Sequence, residues 1–340
     1  MKHFRLVTLL LMAGLLLEAK DYTQKKEVER FIEKMVKEEH LSRWELRKFF
    51  MDVTLQRRSL GIFNPKYRQN SSRKGNKTVP KEGSWTRYVR NLLSEEKVKL
   101  GVEFMHQHRQ IFHKVYQQYG VPPEYLTAII GIESRYGAKR GEYPVFDVLT
   151  TLAFEPNRRS AFFKRELIAF LRLAKQEKFN PKKVKGSYAG AIGLGQFMPS
   201  SYKHFAVDFD GDGRRSMQTV ADAIASIANY FKKNGWRQWE PVAERVNYQG
   251  TRYREKKTGY RYKYPQSQLK GLKVRYAWNY KKPVHLIKLE RTNYDELWFG
   301  ATNFYVITRY NHSDYYAMAV HQLAQRIKRR YKQKYGEILR

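Results

Sequence analysis

The sequence of 340 residues contains no cysteine. This absence excludes thiol nucleophiles, disulfides, thiolate metal sites and lipid attachment through cysteine, so any chemistry depends on carboxylates, hydroxyls, histidines or lysines. Acidic residues are also few, 32 against 66 Lys and Arg, which gives a formal net charge of +34. That charge favours a polyanionic partner such as nucleic acid, anionic lipid or an acidic cell-wall polymer. Simple solubility is an equal alternative, because the basic residues are spread along the whole chain.

No apolar run reaches the length that spans a bilayer comfortably. The run from Leu6 to Leu17 follows a short basic start and precedes a possible cleavage site at Leu16–Ala19. We therefore predict that residues 1–19 are a secretory signal peptide, with an uncleaved membrane anchor as the alternative. Export makes a nucleic-acid partner an unfavourable interpretation.

Hydrophobic residues at 42% and aromatic residues at 15% indicate a folded chain. Apolar periodicity predicts two amphipathic helices between Glu27 and Val53, within an N-terminal helical segment at 20–63, and a polar linker at 64–83. Short alternating apolar runs predict a small β-rich insert at 240–297. The clearest helical patterns lie on both sides of it, at Glu103–Tyr119, Pro122–Tyr136, Ser160–Gln176, Val220–Lys233 and Tyr305–Arg330.

The segment Ile129–Gly137 contains one acid, Glu133, in apolar and aromatic surroundings. On a helix that starts near Pro122 and ends at Gly137, this acid shares a face with Leu126, Ile129 and Ile130. An acid on such a face is either paired with a cation, for which Arg135 is nearby, or kept protonated by desolvation. The second state makes a general acid. The residues alone leave both open.

The segment Ser187–Tyr202 is rich in glycine, which lets backbone approach a ligand closely. It lacks the G-K-[ST] end of a phosphate-binding loop. Ser187, Gln196 and Tyr202 offer donors and acceptors of the kind that sugar hydroxyls and acetamides need. A plain tight turn is the alternative.

The segment Asp208–Ser216 follows the D-x-D-x-D-G pattern of an EF-hand calcium loop. The twelfth position is Thr219, where the pattern wants a bidentate Glu, and Asp222 is predicted to supply the missing carboxylate. We predict a structural Ca²⁺ site, with a metal-free Asp/Gly turn as the alternative. Its predicted ligands are Asp208, Asp210, Asp212, the carbonyl of Arg214 and Asp222.

The segment from Tyr305 to His312 ends in polar residues. Asn311 is either a buried helix cap or a substrate contact, and the cap is the favoured reading. His312 has no partner at metal-ligand spacing, so it is predicted to be an ordinary surface or core histidine.

Together these segments resemble the lytic murein transglycosylases of the B type, relatives of lysozyme that cleave bacterial peptidoglycan. The likeness extends with gaps from about Tyr88 to Leu323, and it is weak in the β-rich insert. The matching stretches read WTRY, YGVPPE with GIESRYG, NRRSAFF, SYAGAIGLGQFMPSSY, DFDGDG, ANYFKKNGW and NFYVITRYNHS.

The resemblance implies a mainly α fold: a lysozyme-like (α+β) catalytic core at 84–239 and 298–340, with an EF-hand-like calcium loop and the inserted β-rich subdomain at 240–297. It implies that Glu133 is the single catalytic acid. The family's substrate-cleft positions correspond to Tyr88, Arg158, Arg159, Ser187, Gln196, Tyr230, Tyr310, Asn311 and Tyr316.

The implied reaction cuts the β-1,4 bond between N-acetylmuramic acid and N-acetylglucosamine and leaves a 1,6-anhydromuramic acid end. A non-catalytic peptidoglycan-binding protein and a muramidase-type hydrolase are the alternatives. Family members with a lipid anchor carry it on a cysteine, which this chain lacks. We therefore expect a monomeric periplasmic protein that acts on peptidoglycan glycan strands, with no lipid anchor and no nucleic-acid partner.

Overall fold

A computed structural model describes residues 19–67 and 82–338 of the chain. They form two compact units, one from the described part of Met1–Gln69 with Phe146–Ile168, the other from the described part of Asn70–Val145 with Ala169–Arg340. The predicted signal peptide, apart from Ala19, and most of the predicted linker lie outside the described residues. In the described ranges no helix combines the length and apolar character needed to cross a membrane. The predicted domain limits stay a prediction.

The first unit is built on aromatic packing between short helices. The two predicted amphipathic helices are confirmed: the rings of Phe31 and Phe50 pack edge to face at 5.9 Å, and Phe31 meets Phe154 at 5.4 Å. A short antiparallel pair of strands lies beside them. The elements up to the linker are β1 (Ala19–Lys20), α1 (Lys26–Glu39), α2 (Arg43–Met51), β2 (Val53–Thr54) and α3 (Arg57–Phe63).

The remaining helices lie mostly in the second unit. The exceptions are the helix Val145–Phe154, which belongs to the first unit except for Val145, and the helix Ser160–Gln176, whose residues up to Ile168 belong to the first unit. The predicted helices at 160–176 and 220–233 are confirmed to the residue. These helices are α4 (Ser84–Val89), α5 (Glu95–Gln107), α6 (Arg109–Tyr119), α7 (Pro123–Ser134), α8 (Val145–Phe154), α9 (Ser160–Gln176), α10 (Pro199–Phe205), α11 (Val220–Lys233), α12 (Thr302–Tyr310) and α13 (Asp314–Tyr335).

Helix α7 lies at the centre of the second unit. Ten of its twelve residues are buried, as expected for a helix that is apolar on all sides. Helix α13 packs against α7 and α5, while α11 packs against α6 and α7. The helix that carries Glu133 is therefore held by neighbours on several sides.

Two predicted helices are wrong as single elements. His108, with φ −107° and ψ 21°, separates α5 from α6, and the break between α12 and α13 runs from Asn311 to Ser313. The Ser313 hydroxyl accepts the Tyr316 N–H at 3.2 Å and so caps α13. Short breaks of this kind preserve the apolar spacing, so the periodicity does not reveal them. Asn311 ends α12 and is exposed, so the predicted buried cap is also wrong.

The predicted β-rich segment contains four strands, β5 (Ala243–Tyr248), β6 (Leu272–Val274), β7 (His285–Glu290) and β8 (Asp295–Gly300), and the last runs past the predicted limit at 297. They form one antiparallel sheet in the order β6-β5-β8-β7. Leu286 and Phe299 contribute to the apolar cluster on one face, and the Trp298 ring meets His321 of α13 edge to face at 5.8 Å. A second, two-stranded sheet pairs β3 (Tyr143–Pro144) with β4 (Lys185–Gly186). This mainly helical architecture agrees with the predicted fold class.

Candidate active site

Helix α7 ends directly after Glu133. The predicted end at Gly137 is wrong, because Ser134 is the last helical residue and three left-handed residues follow it. These are Arg135 (φ 49°), Tyr136 (φ 57°) and Gly137 (φ 91°). The left-handed conformation costs a residue with a side chain about 1–2 kcal/mol, so packing elsewhere must hold this turn.

The ring of Tyr136 supplies that packing. Its hydroxyl donates to the Lys97 carbonyl at 2.8 Å. A Cβ added at Gly131 would lie 2.5 Å from the Tyr136 ring, and one added at Gly101 would lie 2.5 Å from its hydroxyl. The Tyr136 side chain therefore packs against two backbone positions that must be glycine, because a side chain at either one would overlap with it. The helical pattern predicts no role for either, although a glycine inside such a pattern is the available signal.

The Glu133 carboxyl is partly buried beside the side chain of Tyr316. The Tyr316 hydroxyl donates to Glu133 Oε1 at 2.6 Å. Burial raises the pKa of Glu133 to about 7, against a smaller lowering by this hydrogen bond. Arg135 is not the partner of Glu133, because its guanidinium bonds to Glu96 at 2.5 Å. The cation-paired alternative is thus wrong, and desolvation sets the charge state of this acid.

Tyrosines form a wall next to the carboxyl. The Tyr310 ring lies parallel to the Tyr316 ring, 6.3 Å between centroids and 7° between planes. After burial, the Glu133 charge is the next cause that raises the pKa of both Tyr88 and Tyr310. Tyr230 meets Tyr310 edge to face at 5.0 Å. The structure therefore brings these four predicted cleft tyrosines together around or beside the acid.

The glycine-rich segment approaches this wall through its backbone. The Tyr310 hydroxyl donates to the Gly195 carbonyl at 2.5 Å, and a Cβ at Gly195 would lie 2.7 Å from the Met217 methyl. The Gln196 amide donates to the carbonyls of Arg140 (3.0 Å) and Gly193 (2.8 Å). These contacts fix the segment as a packed loop. Its close approach to the Met217 backbone depends on a glycine at 193, where a Cβ would lie 2.3 Å from the Met217 carbonyl oxygen.

Other predicted sugar contacts have structural partners. The Ser187 hydroxyl accepts the N–H groups of Ala189 and Ala191 at 3.2 and 3.0 Å, and the buried Tyr202 hydroxyl accepts the Met217 N–H at 2.7 Å. Arg158 and Arg159 are exposed in the first unit. The Arg159 guanidinium lies 4.2 Å from the centre of the Phe162 ring. Substrate contacts by Ser187 and by the two arginines stay a prediction.

The aspartate loop brings three carboxylates together. Oxygens of Asp208, Asp210 and Asp222 lie within 4.8 Å of one another. The buried Asp222, in the first turn of α11, accepts the N–H groups of Phe209 and Ser216 at 2.7 Å each. Burial and then the Asp222 charge raise the pKa of Asp210. Clustered carboxylate oxygens of this kind fit a hard cation such as Ca²⁺.

Asp212 and Arg214 have a different position in the loop. The Asp212 carboxylate accepts the Arg214 N–H at 2.8 Å, and it is not part of the three-carboxylate group. The ligand roles predicted for Asp212 and for the Arg214 carbonyl therefore stay predictions.

A desolvated acid beside several tyrosine side chains is the arrangement of an enzyme that uses one general acid. Comparison with known proteins defines the family. Residues 23–325 match the model of the transglycosylase SLT domain. The chain is 38% identical over 309 residues to membrane-bound lytic murein transglycosylase B of Escherichia coli K12. The matched region covers 90% of this chain and 84% of that protein.

Solved structures agree. The Escherichia coli lytic transglycosylase Slt35 in complex with calcium is 36% identical with a TM-score of 0.83, covering 94% of this chain and 98% of that one. Pseudomonas aeruginosa SltB3 in complex with NAG-anhNAM-pentapeptide is 26% identical with a TM-score of 0.74, covering 89% and 80%. The chain therefore belongs to the SLT-domain family of lytic murein transglycosylases, and the predicted family is confirmed.

Proposed function

We propose that this chain cleaves the β-1,4 bond between N-acetylmuramic acid and N-acetylglucosamine in peptidoglycan, with Glu133 as the single acid and base. The observation that carries the proposal is the pKa of Glu133, raised by burial to about 7. Near neutral pH, protonated and ionised forms of this carboxyl are then both well populated. A group in that range can donate a proton in one step and accept one in the next.

In the first step, protonated Glu133 gives its proton to the bridging oxygen as the bond from that oxygen to muramyl C1 breaks. Because the Tyr316 hydroxyl occupies Oε1, the transferable proton belongs on Oε2. N-acetylglucosamine leaves with a hydroxyl group. The new Glu133 carboxylate and the substrate's own acetamide stabilise the positive charge at C1.

In the second step, the C6 hydroxyl of the same muramyl residue attacks C1, and its proton returns to Glu133. The product is a 1,6-anhydro ring, and no water is consumed. Because nucleophile and electrophile belong to one sugar, the step avoids the entropy cost of recruiting water.

A hydrolase needs a second carboxylate across the sugar to activate water. Desolvation and the Tyr316 hydroxyl are the causes that set the pKa of Glu133, and neither is a second carboxylate. Glu142 is exposed. Asp147 is buried in the first unit, where it accepts the Thr54 N–H at 3.1 Å. These surroundings favour transglycosylation over the muramidase-type alternative, and the raised pKa favours catalysis over mere binding.

Mass analysis of products from purified peptidoglycan tests the reaction. We expect 1,6-anhydromuramyl ends that are non-reducing in a borohydride assay. The control is a muramidase digest of the same material, whose products are one water heavier and reducing. If the chain gives mainly the heavier products, a second base exists and this mechanism is wrong.

The tyrosine wall is proposed to bind the glycan next to Glu133. Tyr88, Tyr230, Tyr310 and Tyr316 supply ring faces and hydroxyls there, which suits the apolar faces and polar edges of sugars. Ser187, Gln196 and Asn311 are proposed as further contacts of this glycan. Arg158 and Arg159, in the first unit, are also proposed to contact glycan. The net charge of +34 supports retention on a polymer whose peptides carry carboxylates.

One Ca²⁺ is proposed to lie between Asp208, Asp210 and Asp222, with Asp212 and the Arg214 carbonyl completing its ligands. The 4.8 Å grouping of the three carboxylates supports the site, as does the calcium complex of the related Slt35. The ion supplies positive charge that offsets repulsion among the acids and ties the loop to the start of α11.

We also place the protein in the periplasm as a monomer without a lipid anchor or a nucleic-acid partner. The predicted signal peptide supports export, and the absence of cysteine argues against lipid attachment of the usual kind. Cell fractionation with a reporter fused to residues 1–25 tests the location.

A further inference from the structure

Trp239 is the most exposed large hydrophobic side chain in the described ranges, with 86% of its surface accessible. Its backbone also has a φ of 70°, in the left-handed region. Both features are unfavourable: the indole is left in water, and a residue with a branched or aromatic side chain rarely adopts this φ. A conformation that carries two such costs is a candidate for function.

The turn that carries Trp239 is held on both sides. Asn303 is fully buried. Its side-chain oxygen accepts the Arg237 N–H at 2.8 Å, and its amide donates to the carbonyls of Arg237 and Glu240 at 2.8 Å each. The indole of the preceding Trp236 donates to the Gly120 carbonyl at 3.2 Å. The exposed ring is therefore presented on a fixed turn.

A cavity of about 560 Å³ opens beside this ring. Several aromatic side chains are part of its wall, among them Tyr116, Trp236, Trp239 and Trp278, together with charged residues. Glu240 and Trp278 each keep a polar atom, Oε2 and Nε1, without a hydrogen-bond partner among the described residues. Both atoms are buried, and a ligand in the cavity would reach them only if these side chains rotate.

The cavity is separate from the catalytic acid. Tyr125 is part of its wall. Tyr125 lies eight positions before Glu133 on α7, about 12 Å along the helix axis at 1.5 Å per residue. The tyrosine wall around Glu133 contributes no residue to this cavity.

We propose that Trp239 and the cavity beside it form a second glycan-binding site. The indole face stacks on the C–H face of a pyranose ring, while Glu240 and Trp278 bond to its hydroxyl and acetamide groups. The choice of ligand rests on the proposed function, since the substrate is a long strand of repeated N-acetylated sugars. A second site holds the enzyme on that polymer between cuts, as linked binding events raise retention without a new catalytic contact.

The surroundings favour a sugar over a protein partner. An apolar patch that marks a protein-docking surface usually covers several hundred Å² without interruption, whereas charged side chains border this cavity. Lys328 pairs with Glu124 at 3.1 Å, and Lys282 pairs with Glu240 at 2.5 Å. One exposed ring beside polar and charged groups matches the amphipathic faces of a sugar.

Sedimentation with insoluble purified peptidoglycan tests the site, in a Glu133→Gln background that prevents cleavage. Trp239→Ala is expected to weaken binding at least about fivefold. Trp44→Ala is the matched control, since Trp44 is also an exposed tryptophan, at 70%, and is not part of the cavity wall. The Trp44→Ala variant should bind like the parent. Equal binding by all three proteins, or equal loss in both variants, overturns the proposal.

Activity gives a second readout in proteins that keep Glu133. Trp239→Ala should cleave a short soluble muropeptide at the parent rate and insoluble peptidoglycan several-fold more slowly. An equal loss on both substrates assigns Trp239 to the catalytic cleft and overturns the second site. If the parent cleaves neither substrate, the proposed function fails, while the sedimentation comparison still decides the site.

Trp239→Gly and Trp239→Tyr separate binding from folding. Glycine adopts a φ of 70° readily, so Trp239→Gly should keep or raise the melting temperature while it binds as weakly as the alanine variant. Trp239→Tyr keeps a ring and should bind within about threefold of the parent. A drop in melting temperature that parallels the loss of binding shows a structural role and overturns the proposal.

Discussion

The two acidic regions of this molecule hold their carboxylates in opposite ways. Glu133 lies alone among tyrosines, and burial raises its pKa to about 7. Asp208, Asp210 and Asp222 lie within 4.8 Å of one another in a loop, and the loop backbone donates to them. Asp208 accepts the N–H groups of Gly211 and Gly213, and Asp222 accepts those of Phe209 and Ser216.

The difference lies in what surrounds each carboxylate. Desolvation without a cation disfavours charge, so Glu133 keeps a proton that it can transfer. The aspartate loop instead surrounds its carboxylates with backbone N–H donors and sets them so close together that, when charged, they repel one another without a cation. A lone buried acid therefore suits proton transfer, whereas a hydrogen-bonded group of acids suits a cation.

Removing the Glu133 carboxyl tests whether this lone acid transfers the proton, and it should have the largest effect on activity of the changes considered. Glu133→Gln keeps the shape and loses the proton, so peptidoglycan cleavage should fall at least about a hundredfold. Cleavage is measured by release of soluble muropeptides. Activity within about tenfold of the parent removes Glu133 from the acid role.

The stability of the same variant tests the desolvation. A folded-state pKa raised from 4.5 to about 7 means that the folded protein binds the proton more tightly, so the parent loses stability as pH rises from about 4.5 to 7. Glu133→Gln lacks this loss. It should be more stable at pH 8, by roughly 1–3 kcal/mol, and the difference should vanish below pH 4.5 in thermal melts.

Calcium binding tests the other side, with an effect of intermediate size. Ca²⁺ at a hundredfold excess over its Kd stabilises the folded state by about 2.7 kcal/mol, so it should raise the melting temperature of the parent by several degrees over a chelated sample. Asp210→Ala should abolish this response. Asp212→Ala, outside the three-carboxylate group, should retain part of it.

The calcium result has a clear contrary outcome. If the Asp210→Ala, Asp212→Ala double variant responds to Ca²⁺ like the parent, the ion does not bind in this loop.

Removing the Tyr316 hydroxyl should have a smaller effect, and it tests what sets the pKa of Glu133. The Tyr316 hydroxyl lowers the pKa of Glu133 against the larger effect of burial, so Tyr316→Phe should raise this pKa further. The basic limb of the pH–rate profile should then move to higher pH, by about one unit. Tyr310→Phe is the control, because its hydroxyl bonds to the Gly195 carbonyl instead. A limb that moves equally in both variants contradicts this role for Tyr316.

Local patterns in the sequence predicted helices α9 and α11, the acid Glu133 and the aspartate loop, because periodicity and motif spacing depend on near neighbours. The end of α7 was not predictable in this way. The left-handed turn after Ser134 depends on Tyr136 fitting against Gly101 and Gly131. Two further contacts likewise join residues that are distant in sequence. Arg135 pairs with Glu96, and Asn303 bonds to the Arg237 N–H in the turn before β5.

The burial of α7 limits how this enzyme can be altered. Ten of its twelve residues are buried. Nearly every substitution in the helix therefore changes the packing of the protein interior as well as the position of Glu133. Redesign of substrate preference therefore has little freedom on the helix that bears the acid. Tyr88, which α4 contributes and which is 37% exposed, is a position beside the acid where the side chain can be exchanged without removing a hydrogen bond to Glu133.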